Sequence, residues 1–185
     1  MNVKIYKGDI FSLSCDAIVN PANRQASLWF ASHINDIIRK RGGKKVIQER
    51  KEKGDIKLGE AVSTSGGNLP FKYIIHSSIL DMYDFNPLFL LRIKQRTSDE
   101  VLKNAMVNSL ELANRLDIQS ISYSLMGSGI GAMNVEKCAK IILREMKNFR
   151  DRTKNSTLEE IYLCVHKEKD YIKVKDIFLS INGDL

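Results

Sequence analysis

Apolar positions along the chain switch repeatedly between a spacing of two and a spacing of three to four, and each switch marks an element. Residues 3–6 and 17–20 are short apolar runs that read as strands. Ile34, Ile37 and Ile38 then fall at i, i+3 and i+4, one face of a helix. A second short, basic helix is predicted over 44–53. Residues 60–64 and 73–76 are β-rich runs divided by Gly66, Gly67, Asn68, Leu69 and Pro70, the signature of a strand pair. Thr97 and Glu100 have capping-box spacing ahead of an amphipathic helix carrying Leu102, Ala105, Met106, Leu112, Ala113 and Leu116. Residues 118–125 read as strand. Asn134 then reads as the N-cap of a helix that buries Val135, Cys138, Ala139, Ile142, Met146 and Phe149. A strand over 161–166 and a helix over 168–181 complete the series. Strands alternating with helices of this length predict an α/β three-layer α/β/α sandwich with a mixed, mainly parallel sheet.

Composition narrows the class. The 185 residues, 43% of them apolar, suffice for one core and predict a single domain over 1–185. Cys15, Cys138 and Cys164 are odd in number and widely spaced, which fits neither a disulfide framework nor a zinc site and points to a reduced, cytoplasmic setting. No apolar run approaches the roughly 18 residues of a membrane span, so no membrane partner is expected. The formal charge is +7, and nearly all of the excess lies in residues 39–53, where eight basic residues accompany two acidic ones. Such a stripe is either a solvated helical face or a docking surface for nucleic acid phosphates or an anionic membrane surface.

The stretch most suggestive of chemistry is Gly127, Ser128, Gly129, Ile130 and Gly131, placed after an apolar strand and before the helix that Asn134 opens. Alternate glycines let the backbone approach a ligand with its N–H groups turned inward, and the helix start adds partial positive charge. In form this is a phosphate or diphosphate site; a tight turn without ligand is the alternative. It matches neither the P-loop nor the dinucleotide fingerprint. Asn20 and Asn23 bracket Pro21 and Ala22 beyond another strand, where an amide can both donate to and accept from ribose hydroxyls, or simply make a turn. Asp9 follows the first strand and suits an exocyclic amino group or the cap of a turn.

Taken in order, Lys7 to Ile10, Asp16 to Asn23, Gly59 to Val62, Asn68 to Pro70, Lys72 to His76 and Gly127 to Gly131 closely resemble the macro domain, at suitable spacing. The likeness runs from about residue 3 to residue 180. It implies a three-layer α/β/α domain that binds ADP-ribose or an ADP-ribosylated molecule and needs neither metal nor cofactor. By position, it implies that Asp9 holds the adenine amino group beside the Ile10 backbone. Asn23 meets the distal ribose, and Asn20, within the matched Asp16 to Asn23 motif, stays a ligand-binding candidate on the amide reading above. The backbone of Gly127, Ser128, Gly129, Ile130 and Gly131 cradles the diphosphate, and His166 stacks on adenine. His76 also matches, with a structural role expected.

The chain departs from the family pattern in four places. Residues 24–32, where most members carry a glycine run, contain none, and Trp29 and Phe30 are expected either to cover the ligand or to enter the core. Ile34 stands where hydrolytic members carry an Asp, and Asp36 lies about 200° around the helix from it. Gly131 replaces an aromatic residue that shields the distal ribose. The segment 81–96 is longer than usual and apolar, which predicts a lid or a self-association surface and hence a homo-oligomer as one option. The expectation is therefore an ADP-ribose binding module. The alternative is a metal-independent hydrolase of ADP-ribosyl esters with Asn23 as its catalytic residue, and nucleic acid binding through 39–53 comes third.

Overall fold

The computed structural model describes residues 1–26, 28, 33–81 and 96–183. Among them are six strands: β1 (Asn2–Lys7), β2 (Ala17–Asn23), β3 (Ala61–Ser65), β4 (Tyr73–Leu80), β5 (Ser120–Ser124) and β6 (Glu160–Val165). The helices are α1 (His33–Arg41), α2 (Gly43–Glu52), α3 (Asp99–Arg115), α4 (Val135–Arg152) and α5 (Glu168–Asn182), and a 3-10 turn, Ile10–Ser12, follows β1. The strands form one sheet in the order β1-β6-β5-β2-β4-β3. All neighbours are parallel except β3 and β4, which are antiparallel. The expected mixed, mainly parallel sheet is the one observed.

The layers follow from the two-residue period of the strands. Ala17, Val19, Ile75, Tyr123, Leu163 and Val165 face one way, into a core closed by Leu102, Met106 and Leu110 of α3, Ile142, Met146 and Phe149 of α4, and Val174 of α5. The intervening Ile18, Ile74 and Cys164 face the other way, against Ile38 of α1 and Val46 of α2. Each such side chain stabilises the fold by roughly 1.5–3 kcal/mol relative to leaving it in water, so a one-residue slip in any central strand exchanges two cores.

Several boundaries differ from the sequence reading for identifiable reasons. β2 continues through Pro21 to Asn23, so the Asn-Pro-Ala-Asn stretch is strand, not a loop beyond it. The N-cap of α3 is Ser98, whose hydroxyl accepts from the Val101 N–H at 3.1 Å; Thr97, one residue earlier, is buried outside the helix. The buried face of α3 includes Ser109 and Leu110, while Leu112 and Leu116 are half-buried. Asn134 caps α4 as expected, its Oδ1 accepting from the Lys137 N–H at 3.1 Å. Trp29, Phe30 and nearly all of 81–96 lie outside the described residues.

The basic run divides. Arg50 turns inward and is 1% exposed. Arg39 pairs with Asp36, and Lys45 with Glu49, whose carboxylate also accepts from the Ser65 N–H and hydroxyl. Lys40, Arg41, Lys44, Lys51 and Lys53 remain exposed. No helix among the described residues is long and apolar enough to cross a membrane.

Candidate ligand-binding crevice

The carboxyl ends of β2, β4, β5 and β6 open onto a cavity of about 530 Å³, a size typical of small-molecule sites. Its position at the carboxyl edge of a parallel sheet is where α/β folds place their ligands, because the loops and helix starts converge there. Pro21, Leu80 and Ser124 supply strand ends, and His33 and Ile34 the start of α1. Val135 stands at the start of α4, and His166, Lys167, Lys169 and Asp170 run from the end of β6 into α5.

The loop between β5 and α4 lines the cavity with residues 127–131. Gly127 holds φ +87°, a conformation that side-chain-bearing residues rarely adopt. A Cβ on Gly131 would sit 2.5 Å from the Gly127 carbonyl oxygen, so the loop closes on itself only with glycine there. The loop carbonyls are occupied: Gly127 O accepts from Met133 N at 3.0 Å, Gly129 O from Ala132 N at 3.1 Å and Gly131 O from Arg96 N at 2.9 Å. The Ser128 hydroxyl donates to Leu125 O at 2.7 Å and so belongs to the turn. The N–H groups of Gly129, Ile130 and Gly131, by contrast, have no partner among the described residues. Three donors without a protein partner among the described residues, beside the start of α4, are the kind of backbone arrangement that can accept an anion. A Cβ on Gly129 would meet nothing within 4 Å, which leaves that backbone open to a ligand.

Of the remaining sequence candidates, His166 lines the cavity, exposed just past β6. Asp9 is exposed and outside the lining; its Oδ1 accepts from Phe11 N at 3.0 Å, capping the 3-10 turn, and Gly8 N donates to Val165 O, which keeps Asp9 near that end of the crevice. Ile10 is buried in the second core. Asn23, buried at the last position of β2, and Asn20 do not line the cavity either. Asn20 is instead committed to a buried network: its Nδ2 donates to Asn35 Oδ1 at 2.7 Å and to His76 Nδ1 at 3.1 Å. His76 Nε2 in turn donates to Thr64 Oγ1 at 3.0 Å, and Thr64 donates to Ser65 O. Complete burial, with Arg50 nearby, drives the His76 pKa down to about 3 and keeps the ring neutral. The structural role expected for it is the one seen.

Ile34 lines the cavity at the position noted in the sequence, while Asp36 pairs with Arg39 on another face of α1. The thiols offer no nucleophile: burial pushes Cys138 up to about 12, and Cys164, which lines the cavity, higher still. No group of three metal-ligating side chains converges among the described residues. His33, Leu80, Lys167, Lys169 and Asp170 were not singled out in the sequence. The available signal was positional, since each ends a strand or begins a helix at the carboxyl side of the sheet.

Comparison with known proteins agrees with this geometry. A macro domain protein of Caldanaerobacter subterraneus subsp. tengcongensis is 30% identical over 173 residues, covering 91% of each chain. The ADP-ribose glycohydrolase MACROD2 of Xenopus laevis is 30% identical over 186 residues, covering 98% of this chain but 42% of that protein. The macrodomain of Oceanobacillus iheyensis, solved with ADP, superposes with a TM-score of 0.80 at 23% identity, covering 99% of this chain and 93% of the other. The family model for the macro domain itself matches residues 19–142, two-thirds of the sequence, and with the fold and crevice in agreement this chain belongs to the macro domain family.

Proposed function

We propose that this chain binds ADP-ribose, free or as the ADP-ribosyl group of a conjugate, in the crevice at the carboxyl edge of the sheet. The observation that carries the reading is the row of N–H groups without a protein partner among the described residues at Gly129, Ile130 and Gly131, in a loop that lines a cavity of about 530 Å³. The diphosphate lies on those donors. The adenosine end extends toward His166 and the distal ribose toward the end of β2 and the start of α1. Membership of a family that includes an ADP-ribose glycohydrolase supports the ligand class. Calorimetry with ADP-ribose tests it. Saturable binding is expected, and Gly129→Glu, whose side chain finds open space and therefore leaves the fold intact, is expected to abolish it by placing a carboxylate where the diphosphate sits. No heat of binding at about millimolar ligand, an affinity of only some 4 kcal/mol, sinks the reading.

Likeness to a glycohydrolase favours a second reading, hydrolysis of an ADP-ribosyl bond with Asn23 orienting the distal ribose. It ranks second because Asn23 is buried and does not line the cavity, Ile34 puts an apolar side chain in the crevice and Asp36 is turned toward Arg39. Turnover of O-acetyl-ADP-ribose or an ADP-ribosylated protein that vanishes in Asn23→Ala would promote it.

A further inference from the structure

Among the described residues Arg50 is the one arginine with almost no exposure, 1%, and it does not line the crevice. A buried guanidinium is costly unless its donors are used. Here Nη2 donates to Gln25 O at 2.9 Å and Nη1 to Gly54 O at 2.7 Å, two carbonyls from separate segments joined by one planar fork. The adjacent Asp55 supplies negative charge and accepts from Ala26 N at 2.8 Å.

These contacts belong to a wider pattern. Residues 24–28 contain no glycine, and their backbone is gripped from outside at every described position. Arg24 N donates to Leu80 O at 2.8 Å, and Arg24 O accepts from Ile56 N at 2.9 Å. Gln25 O takes the Arg50 fork and Ala26 N the Asp55 carboxylate. Leu28 O accepts from Asn35 Nδ2 at 2.6 Å, and Asn35 also accepts from Asn20. One of these grips ends on the crevice wall, at Leu80, and another ends on Asn35, buried in α1 directly after the lining residues His33 and Ile34.

We propose that Arg50 is a positioning residue for the β2 side of the crevice. By bridging the Gln25 and Gly54 carbonyls it holds residues 24–26 and Leu28 in one conformation, and through Leu80 and Asn35 these residues fix the wall against which the distal ribose rests. The inference rests on the ligand reading above. Its mechanism is preorganisation: a segment lacking glycine is given its shape by contacts rather than by backbone freedom, and the ligand pays less to order it.

The test compares ADP-ribose with ADP, which lacks the distal ribose, on the full chain. Arg50→Met keeps an unbranched apolar stem and removes the fork. It is expected to weaken ADP-ribose roughly tenfold while ADP changes by less than about twofold. Amide hydrogen exchange should quicken at residues 25, 26 and 28 and stay unchanged at residues 127–131. Equal weakening of both ligands, or of neither, overturns the proposal. Arg50→Lys, which retains charge but has no fork, is expected to show the same split, and it decides the matter if the Met variant does not fold. If neither variant folds, Arg50 is core structure only and the proposal falls. Failure of the underlying ligand reading looks different, because wild-type protein would then bind neither compound.

Discussion

Acid should destabilise this protein through one imidazole. His76 is fully buried, accepts from Asn20 and donates to Thr64, and its pKa falls from the ordinary 6.5 to about 3, mainly through burial and secondarily through Arg50. Between those values the unfolded chain binds a proton that the folded chain refuses. The stability tied to His76 is therefore complete above the unfolded pKa and is lost as pH falls toward the folded one, at about 1.4 kcal/mol per unit. Going from pH 7 to about pH 5 thus costs about 2 kcal/mol from this residue alone. Asp16, held low by Lys72 and the Gln119 and Ser120 N–H groups, moves from 3.8 downward and loses its contribution only in stronger acid. Urea denaturation at several pH values, on wild type and on His76→Gln, isolates the effect. The variant starts less stable by about 1–3 kcal/mol, having lost buried hydrogen bonds, and its curve should approach the wild-type curve as pH drops. Parallel curves between about pH 7 and 5, or a His76 proton resonance that titrates near 6.5 in the folded protein, would refute the reasoning.

Other substitutions probe the elements that build the crevice. Gly127→Ala forces a side chain into φ +87° and brings its Cβ to 3.3 Å from Cys138 Sγ; a loss of about 1–3 kcal/mol is expected in thermal or urea melts, with weaker ADP-ribose binding as the loop shifts. Asn134→Ala removes the acceptor for Lys137 N and should cost about 1 kcal/mol, read as a lower melting temperature. Ser98→Ala should cost a similar amount at α3, whereas Thr97→Ala leaves the helix cap intact, and helical signal during melting separates the two.

Much of the fold was legible along the chain because periodicity survives any tertiary context. The isoleucines of α1, the amphipathic faces of α3 and α4 and the Asn134 cap are local patterns, and each took the expected conformation. The tight β5–α4 turn was equally legible, since Gly127 and Gly131 are required by its positive φ and its close backbone approach. The Asn-Pro-Ala-Asn stretch was harder to place. Pro21 argued for an end to β2, yet the strand continues to Asn23 beside β4, whose partner register extends through Leu80. The basic stripe misled in the same way, because charge in a sequence does not say which way a side chain points. Arg50 reads as one more surface cation and turns out to be a buried clamp.

By itself, then, the sequence determined the order of strands and helices, the glycine-rich turn between β5 and α4 and the family, all of which depend on neighbours within a few residues or on ordered motifs. Only the tertiary structure decided which polar groups line the crevice and which face each other. Asn20, Asn35, His76 and Thr64 come from four separate segments and meet through sheet pairing and helix packing. Their partners in water and in the core are chemically alike, so burial, which no local pattern encodes, assigns them to the frame of the crevice instead of its surface.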